Sequence, residues 1–362
     1  MAERPPTDTK NEDASSEAQT RRIPMRGIAL TSVLVLVGLL ASELTVRLVD
    51  DRLPKQLEWH AWEAQHKVEQ MDAFARRNHR AKIVAVGASE MFFGLNPRAL
   101  DDELGGGRLA YNAALPGGIP RIMELWTTKV VLPRLHPEVL LVSVNSADLN
   151  DNGPSQKDFY DFFASSPAVR HLMDTETWLE RLDRRFAGWS DLWRFRWILR
   201  RPADLMRAIR GQTIAAGGEP VGADGVGLSQ LNRRLVATPG SIRAFQRRRR
   251  ETWLKNYSIG SVESGALLRL VQSARAQGIA VVVVEMPVTK YFAAAHPHGE
   301  ADLEAFHRAI DRIVSTTGSV FVDASHIAAT DDYFGGFVHL NGAGTKAFTS
   351  FIAQRLRALG LA

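Results

Sequence analysis

The sequence predicts an α/β fold: a three-layer α/β/α sandwich with a five-stranded parallel sheet (flavodoxin-like), a helical insertion and one N-terminal transmembrane helix. Three observations carry that prediction. From Lys82 onward, short β-branched apolar runs alternate with helical patterns, the signature of a parallel sheet covered on both faces. The alternation lapses between about 155 and 257, where Trp, Arg and Phe are concentrated. Near the start, residues 27–44 are apolar apart from Glu43, close to the roughly 20 residues that cross a hydrocarbon core of about 30 Å.

In chain order, residues 1–26 form a polar, Pro/Ser/Glu-rich segment, expected to be a disordered cytoplasmic tail. Arg21, Arg22 and Arg26 precede the apolar run, while Arg47, Asp50, Asp51 and Arg52 follow it. That asymmetry predicts an anchor over 27–49 with a cytoplasmic N-terminus and the remainder extracytoplasmic, periplasmic or extracellular. The alternatives are a cleaved signal peptide and a buried core helix. No small-x-small cleavage site follows the run, and the preceding tail is long for a signal peptide. Residues 50–81 read as a juxtamembrane helical connector, with Trp59, Trp62, Val68 and Met71 at helical spacing and packed on the following domain.

Residues 82–362 form the main domain. Its expected strands are Ile83–Val86, Leu109–Asn112, Val139–Val144, Ile279–Glu285 and Ser319–Asp323, and a last helix runs from about Gly344 to Leu359. The insert at 155–257 shows helical spacing over Thr177–Phe186 and Asp191–Ile209, then a Gly-rich loop from Ala215 to Gly227 and the run Arg247-Arg248-Arg249-Arg250. The arginine run suits either a polyanionic polymer or lipid phosphate, or simply a solvated helix face.

Composition narrows the chemistry. The 362 residues are 45% hydrophobic, enough for a sizeable core, and the net charge is +5. With no cysteine, disulfides, thiolate metal sites and cysteine nucleophiles are excluded. No nucleic-acid-binding module is recognisable, so no nucleic-acid partner is expected. The ten histidines are scattered, and His296 and His298 lack the usual acidic partners in sequence, so no metal and no cofactor are expected.

The functional signal begins at Lys82, where the first strand breaks at Gly87-Ala88-Ser89 and enters a helix. This turn presents a serine hydroxyl at a strand's carboxyl end, beside free N–H groups of a helix start. Nucleophilic serines need an exposed oxygen with donors near the oxyanion that forms on attack. Gly117, Gly118, Asn145, Ser146 and Asp148 also follow strand ends, where parallel sheets collect functional groups. Far downstream, His339 lies in a loop before the last helix. The alternative reading makes Ser89 an N-cap and His339 a surface residue.

Together these motifs resemble the SGNH (GDSL-type) hydrolase superfamily, especially its membrane-anchored branch that acylates extracytoplasmic polysaccharides such as alginate and teichoic acid. The resemblance covers Lys82 to about Leu359, minus the insert. It rests on Gly87-Ala88-Ser89, Tyr111-Asn112-Ala113-Ala114-Leu115-Pro116-Gly117-Gly118, Val283-Val284-Glu285-Met286-Pro287 and His339-Leu340-Asn341. It implies that Ser89 attacks an acyl ester and His339 relays the proton. It also implies that the amides of Ser89 and Gly118 face the oxyanion with a side-chain donor from the third block.

Two positions depart from the family pattern. Gly336 stands three residues before His339, where the family carries the aspartate that orients the imidazole; Asp331 and Asp332 are the nearest acids. A Ser–His dyad oriented by a backbone carbonyl is the other option, and Asp323 is read as a structural end to the fifth strand. In the third block, Ala147 occupies the asparagine position, leaving Asn145 or Ser146 as donor. The resemblance implies an O-acyltransferase or acylesterase for a cell-envelope or exopolysaccharide glycan, with a multi-pass membrane acyltransferase as partner. The alternative is a catalytically inactive SGNH-like glycan-binding or scaffold protein.

Overall fold

The computed structural model describes residues 25–53, 56–78, 81–107, 109–210, 221–328 and 330–362. The predicted tail up to residue 24, with Arg21 and Arg22, and the part of the Gly-rich loop at 215–220 lie outside the described residues. The chain divides into two compact units, Met1–Lys55 with Leu182–Ile214, and Gln56–Arg181 with Ala215–Ala362.

The larger unit is built on five parallel strands: β1 (Ile83–Val86), β2 (Ala110–Asn112), β3 (Val139–Val144), β4 (Ala280–Glu285) and β5 (Val320–Asp323), in the order β2-β1-β3-β4-β5. Ile83 pairs with both Ala110 and Val139. Every residue of β1, β2 and β3 is buried, as expected of strands covered on both faces. Val84, Val86, Leu140, Val142, Val281 and Val283 join one core, and Ile83, Ala85, Leu141, Val282 and Val284 the other; this is the period-two alternation of a pleated strand. The first core takes Ala64, Met71 and Phe74 from the helix Trp62–Asn78, and Phe306, Ile310 and Ile313 from the helix Glu300–Thr317. The second takes Met91, Phe92 and Phe93 from Ser89–Gly94, and Phe348, Ile352 and Leu356 from Gly342–Ala358. Three layers result, as the sequence predicts.

The connector is part of this unit's core. Trp59 meets Trp126 edge-on, with ring centroids 5.2 Å apart, and Trp126 Nε1–H donates to the Ala113 carbonyl at 2.8 Å. Lys67 is wholly buried, and its Nζ donates to the carbonyls of Asn112 and Gly225, the latter at 2.7 Å. Both contacts brace the chain leaving β2. Trp126→Ala removes a buried aromatic and a hydrogen bond, so it is expected to lower the unfolding free energy by about 3–5 kcal/mol, checked by urea unfolding of the detergent-solubilised protein.

The smaller unit holds the helix Met25–Val49, which is long and apolar enough to cross a membrane. Its one acid, Glu43, accepts the Ser190 hydroxyl at 2.7 Å and the amides of Asp191 and Leu192 at 2.8 and 3.0 Å. Arg47 lies 3.0 Å from Glu43 and 3.3 Å from Asp191. Val46, Leu53, Phe195 and Ile198 form this unit's own small core.

Within the insert, residues 182–210 group with the apolar helix, and the described flanking segments with the sheet. The helical spacing over Asp191–Ile209 is taken up by three short helices, Asp191–Arg194, Arg196–Leu199 and Pro202–Ile209. Phe195 caps the first and Arg200 the second, and Pro202, lacking an N–H, fits only a helix start.

Candidate active site

β1 ends at Val86, and Gly87 makes the turn with φ +154°. A Cβ on Gly87 would lie 1.8 Å from Ser143 Oγ, so β3 runs too close for any side chain. Ala88 then caps the short helix Ser89–Gly94, leaving Ser89 half-buried at its first turn. The turn after β2 closes over the same point: Leu115 N–H donates to the Gly87 carbonyl at 3.0 Å.

His339 reaches Ser89 from the other end of the chain. Asn341 caps the last helix, its Oδ1 accepting from the amides of Ala343 and Gly344, and its Nδ2 donates to the Asp332 carbonyl at 2.8 Å. The His339 carbonyl accepts from Gly335 N–H at 2.9 Å, and the imidazole edge rests on Phe93, centroids 5.0 Å apart. The outcome is a 2.9 Å hydrogen bond between Ser89 Oγ and His339 Nε2.

Both residues line a cavity of about 250 Å³, together with Glu90, Pro116, Gly117, Asn145, Asp148, Phe159, Arg249, Trp253 and Phe292. Asn145 Oδ1 accepts from Ala147 N–H at 2.9 Å, which turns Nδ2 towards Glu90 Oε1 at 3.2 Å. Glu90 Oε2 also lies 3.3 Å from Ser89 Oγ. Burial pushes the carboxyls of Glu90 and Asp148 up, and the repulsion of Glu90 adds to the rise on Asp148; Arg249 partly opposes both. Arg249 is itself pushed down by burial and sits over the rings of Phe245 and Trp253 at 5.5 and 5.7 Å.

Burial, then the positive charges of Arg249 and Arg233, push the His339 imidazole down to about 4. Among the described residues no carboxylate is a cause in the other direction. A neutral imidazole is the form that accepts a serine proton. Hydrolysis that depends on Ser89 is therefore expected to hold from pH 7 to 5 and to fail only as pH drops through about 4. Arg249→Leu removes a repelling cation, so His339 should protonate more readily and the acid limb should move towards neutral pH. Initial rates of acyl-ester hydrolysis between pH 3.5 and 8 check both.

Several expected site residues lie elsewhere. The Gly118 N–H is taken by the Leu115 carbonyl at 2.9 Å; Gly117, with φ +71°, is the glycine that lines the cavity. Gly118 has a different constraint: a Cβ there would meet the Gly87 carbonyl oxygen at 2.5 Å. Ser146 Oγ turns away to His296 Nε2 at 2.8 Å, so Asn145 is the member of that pair facing Ser89's surroundings. Asp331 accepts from Tyr291 O–H at 2.9 Å and Asp332 pairs with Arg234 at 2.6 Å. Neither reaches His339, because the loop spends both on its own outer face. Among the described residues no carboxylate hydrogen-bonds the imidazole. Asp323 ends β5 and accepts from Ser325 N–H at 2.8 Å. No group of three or more acids or histidines suited to a metal occurs among the described residues.

Glu90, Arg249, Phe159, Trp253 and Phe292 were not singled out in the sequence. The spacing of Phe245, Arg249 and Trp253, four residues apart each time, was the available signal that one arginine of the run shares a face with aromatics.

No protein-family model matches the chain, and no curated protein does. Solved structures similar to it include an M. smegmatis aryl esterase, with TM-score 0.37, 12% identity, and coverage of 77% of this chain and 100% of that one. Est24, a carbohydrate acetylesterase from Sinorhizobium meliloti, has TM-score 0.38 and 9% identity over 77% and 100%. A GDSL-like lipase from Bacteroides thetaiotaomicron has TM-score 0.37 and 9% identity over 81% and 99%.

Proposed function

We propose that this chain is a membrane-anchored serine acyl-ester enzyme of the SGNH type, an O-acyltransferase or acylesterase acting on an extracytoplasmic cell-envelope glycan. The observation that carries the reading is the 2.9 Å Ser89–His339 hydrogen bond at the wall of an open cavity. Ser89 Oγ attacks the acyl carbonyl as its proton passes to His339 Nε2, and the carbonyl oxygen takes the negative charge. In this reading the Ser89 amide at the helix start and the second N–H of Asn145 Nδ2 donate to that oxygen. His339 returns the proton to the departing alkoxide, leaving an acyl-serine. Water or a sugar hydroxyl then attacks the acyl-serine, giving up its proton to His339, which passes it to the departing Ser89 oxygen as the acid or the new ester is released.

Anchorage is supported by the helix Met25–Val49, with Arg21, Arg22 and Arg26 favouring a cytoplasmic start. It keeps the domain near a membrane acyl donor, such as a multi-pass acyltransferase partner, and so raises effective concentration. The second reading, a glycan-binding or scaffold protein without catalysis, is favoured by one observation: among the described residues no carboxylate hydrogen-bonds the His339 imidazole, Asp331 and Asp332 being held by Tyr291 and Arg234.

A fluorophosphonate probe distinguishes the two. Phosphonylation of a serine requires an activated hydroxyl, so the wild-type chain should gain one adduct at Ser89, and His339→Ala should gain none. Folded wild-type protein that stays unlabelled would favour the non-catalytic reading.

A further inference from the structure

The smaller unit carries an apolar surface that its own core leaves uncovered. Along the helix Trp178–Trp189, of which Leu182–Trp189 belongs to this unit, residues Leu182, Phe186 and Trp189 recur at helical spacing and are all exposed, Trp189 by 74%. Trp193 continues the surface at 41% exposure, and Met206 and Ile209 repeat the pattern on the helix Pro202–Ile209. Residues 180–210 also hold nine arginines, against four acids and no lysine. Asp183, Asp191 and Asp204 are each paired with an arginine from this same stretch. Large aromatic and aliphatic side chains on one stripe with arginines around them make the composition of a helix lying in a membrane interface.

The attachment to the apolar helix fixes the depth. Glu43 holds Ser190, Asp191 and Leu192 directly, and Val46 and Leu53 pack on Phe195 and Ile198. From Ile28, Glu43 lies fifteen residues along the helix, about 22 Å at 1.5 Å per residue. In a hydrocarbon core of about 30 Å, Ser190 is thereby tied about 8 Å inside the border on the C-terminal side, within the roughly 5–10 Å to which interfacial helices sink. Trp189 and Trp193 flank that point.

We infer that residues 182–209 form an amphipathic hairpin lying in the outer interface of the same bilayer the anchor crosses. Its aromatic stripe sits among the acyl chains, and its arginines face anionic lipid phosphate. The inference rests on the anchor proposed above, and goes beyond it in giving the chain a second, lateral contact with lipid.

The chain has no cysteine, so single-cysteine variants take a spin label at one place only. The full chain, labelled in turn at each position from 182 to 189 and at Leu36→Cys in the anchor, is placed in nanodiscs of phosphatidylcholine with about one quarter phosphatidylglycerol. Collision rates with oxygen, enriched in lipid, and with a nickel chelate, confined to water, are then compared. The oxygen-to-nickel ratio should oscillate with the helical repeat, reaching at positions 182, 186 and 189 roughly threefold or more the value at 184 and 188. A high ratio at 36 with a flat, water-like profile over 182–189 overturns the hairpin and leaves the anchor standing. Low collision with both reagents at 182, 186 and 189 means protein covers the stripe, which also overturns it. A water-like ratio at 36 removes the anchor and the hairpin together. Photolabelling of the unmodified chain from a diazirine lipid guards against a label that disturbs folding: peptides covering 182–193 should be labelled alongside those of the anchor, and their absence counts against the hairpin.

Discussion

Ser89→Ala is expected to lower p-nitrophenyl acetate turnover by roughly 10³-fold or more, His339→Ala by a comparable factor, and the double variant no further. The two side chains act as one unit: the hydroxyl is a weak nucleophile until its proton has somewhere to go, and His339 Nε2 at 2.9 Å is the acceptor. Asp331→Asn and Asp332→Asn are expected to stay within about threefold of wild type, because their carboxylates bind Tyr291 and Arg234 rather than the imidazole. A large loss of kcat in either asparagine variant would restore a triad and sink the dyad. Equal turnover in wild type and Ser89→Ala would exclude simple ester hydrolysis at this site. Absolute turnover is expected to be modest, since no carboxylate among the described residues hydrogen-bonds the imidazole to stabilise the imidazolium that forms.

The second large effect is expected from the two glycines that let the site close. Gly87→Ala must hold an L side chain at φ +154° and place its Cβ 1.8 Å from Ser143 Oγ and 3.0 Å from Ser143 Cβ. Rotating the serine relieves the first clash and not the second. The expected cost is about 3–5 kcal/mol of unfolding free energy. In Gly118→Ala the Cβ meets backbone oxygens, Gly87 at 2.5 Å and Leu115 at 2.9 Å. No rotamer removes those, so the β1 turn carrying Ser89 must move; a shift of this kind is expected to cut turnover by roughly 10²-fold. Ser143→Gly in the Gly87→Ala background should recover part of the lost stability and leave the dihedral cost in place. Urea midpoints and acetate-ester rates measure these effects. An unchanged midpoint for Gly87→Ala would mean that β3 yields where the packing says it cannot.

The strands were legible as short apolar runs, valine-rich and buried almost throughout in β1, β3 and β4. Their ends differ from expectation by one residue, at Leu109, Ile279 and Ser319; Leu109 takes φ +53°, outside any strand. Ser89 and His339 were legible because a strand-to-helix turn and a pre-helix loop leave marks in local sequence. Gly117 and Gly118 were not separable, since one residue's difference within a tight turn decides which amide is free. Glu90 reads locally as an acid favouring a helix start, and only the sheet brings it to Asn145 and Ser89. Arg249 is one of four adjacent arginines, and the choice among them depends on how the helix Pro239–Glu251 sits against Phe292 and Trp253. The division of the insert depended on Glu43 reaching residues 147 to 149 positions away, a range over which sequence patterns carry no signal.

That long reach also bears on how the protein is made. In the proposed topology Glu43 enters the bilayer with the anchor, whereas its partners Ser190, Asp191 and Leu192 are still untranslated. At 5–20 residues per second, the 147 residues separating Glu43 from Ser190 take roughly 7–30 seconds to synthesise. Throughout that interval the acid has only Arg47, one turn away, as a partner. The newly inserted anchor is thus an incomplete element during biogenesis, finished only when the chain it has just exported returns to the membrane to cap it.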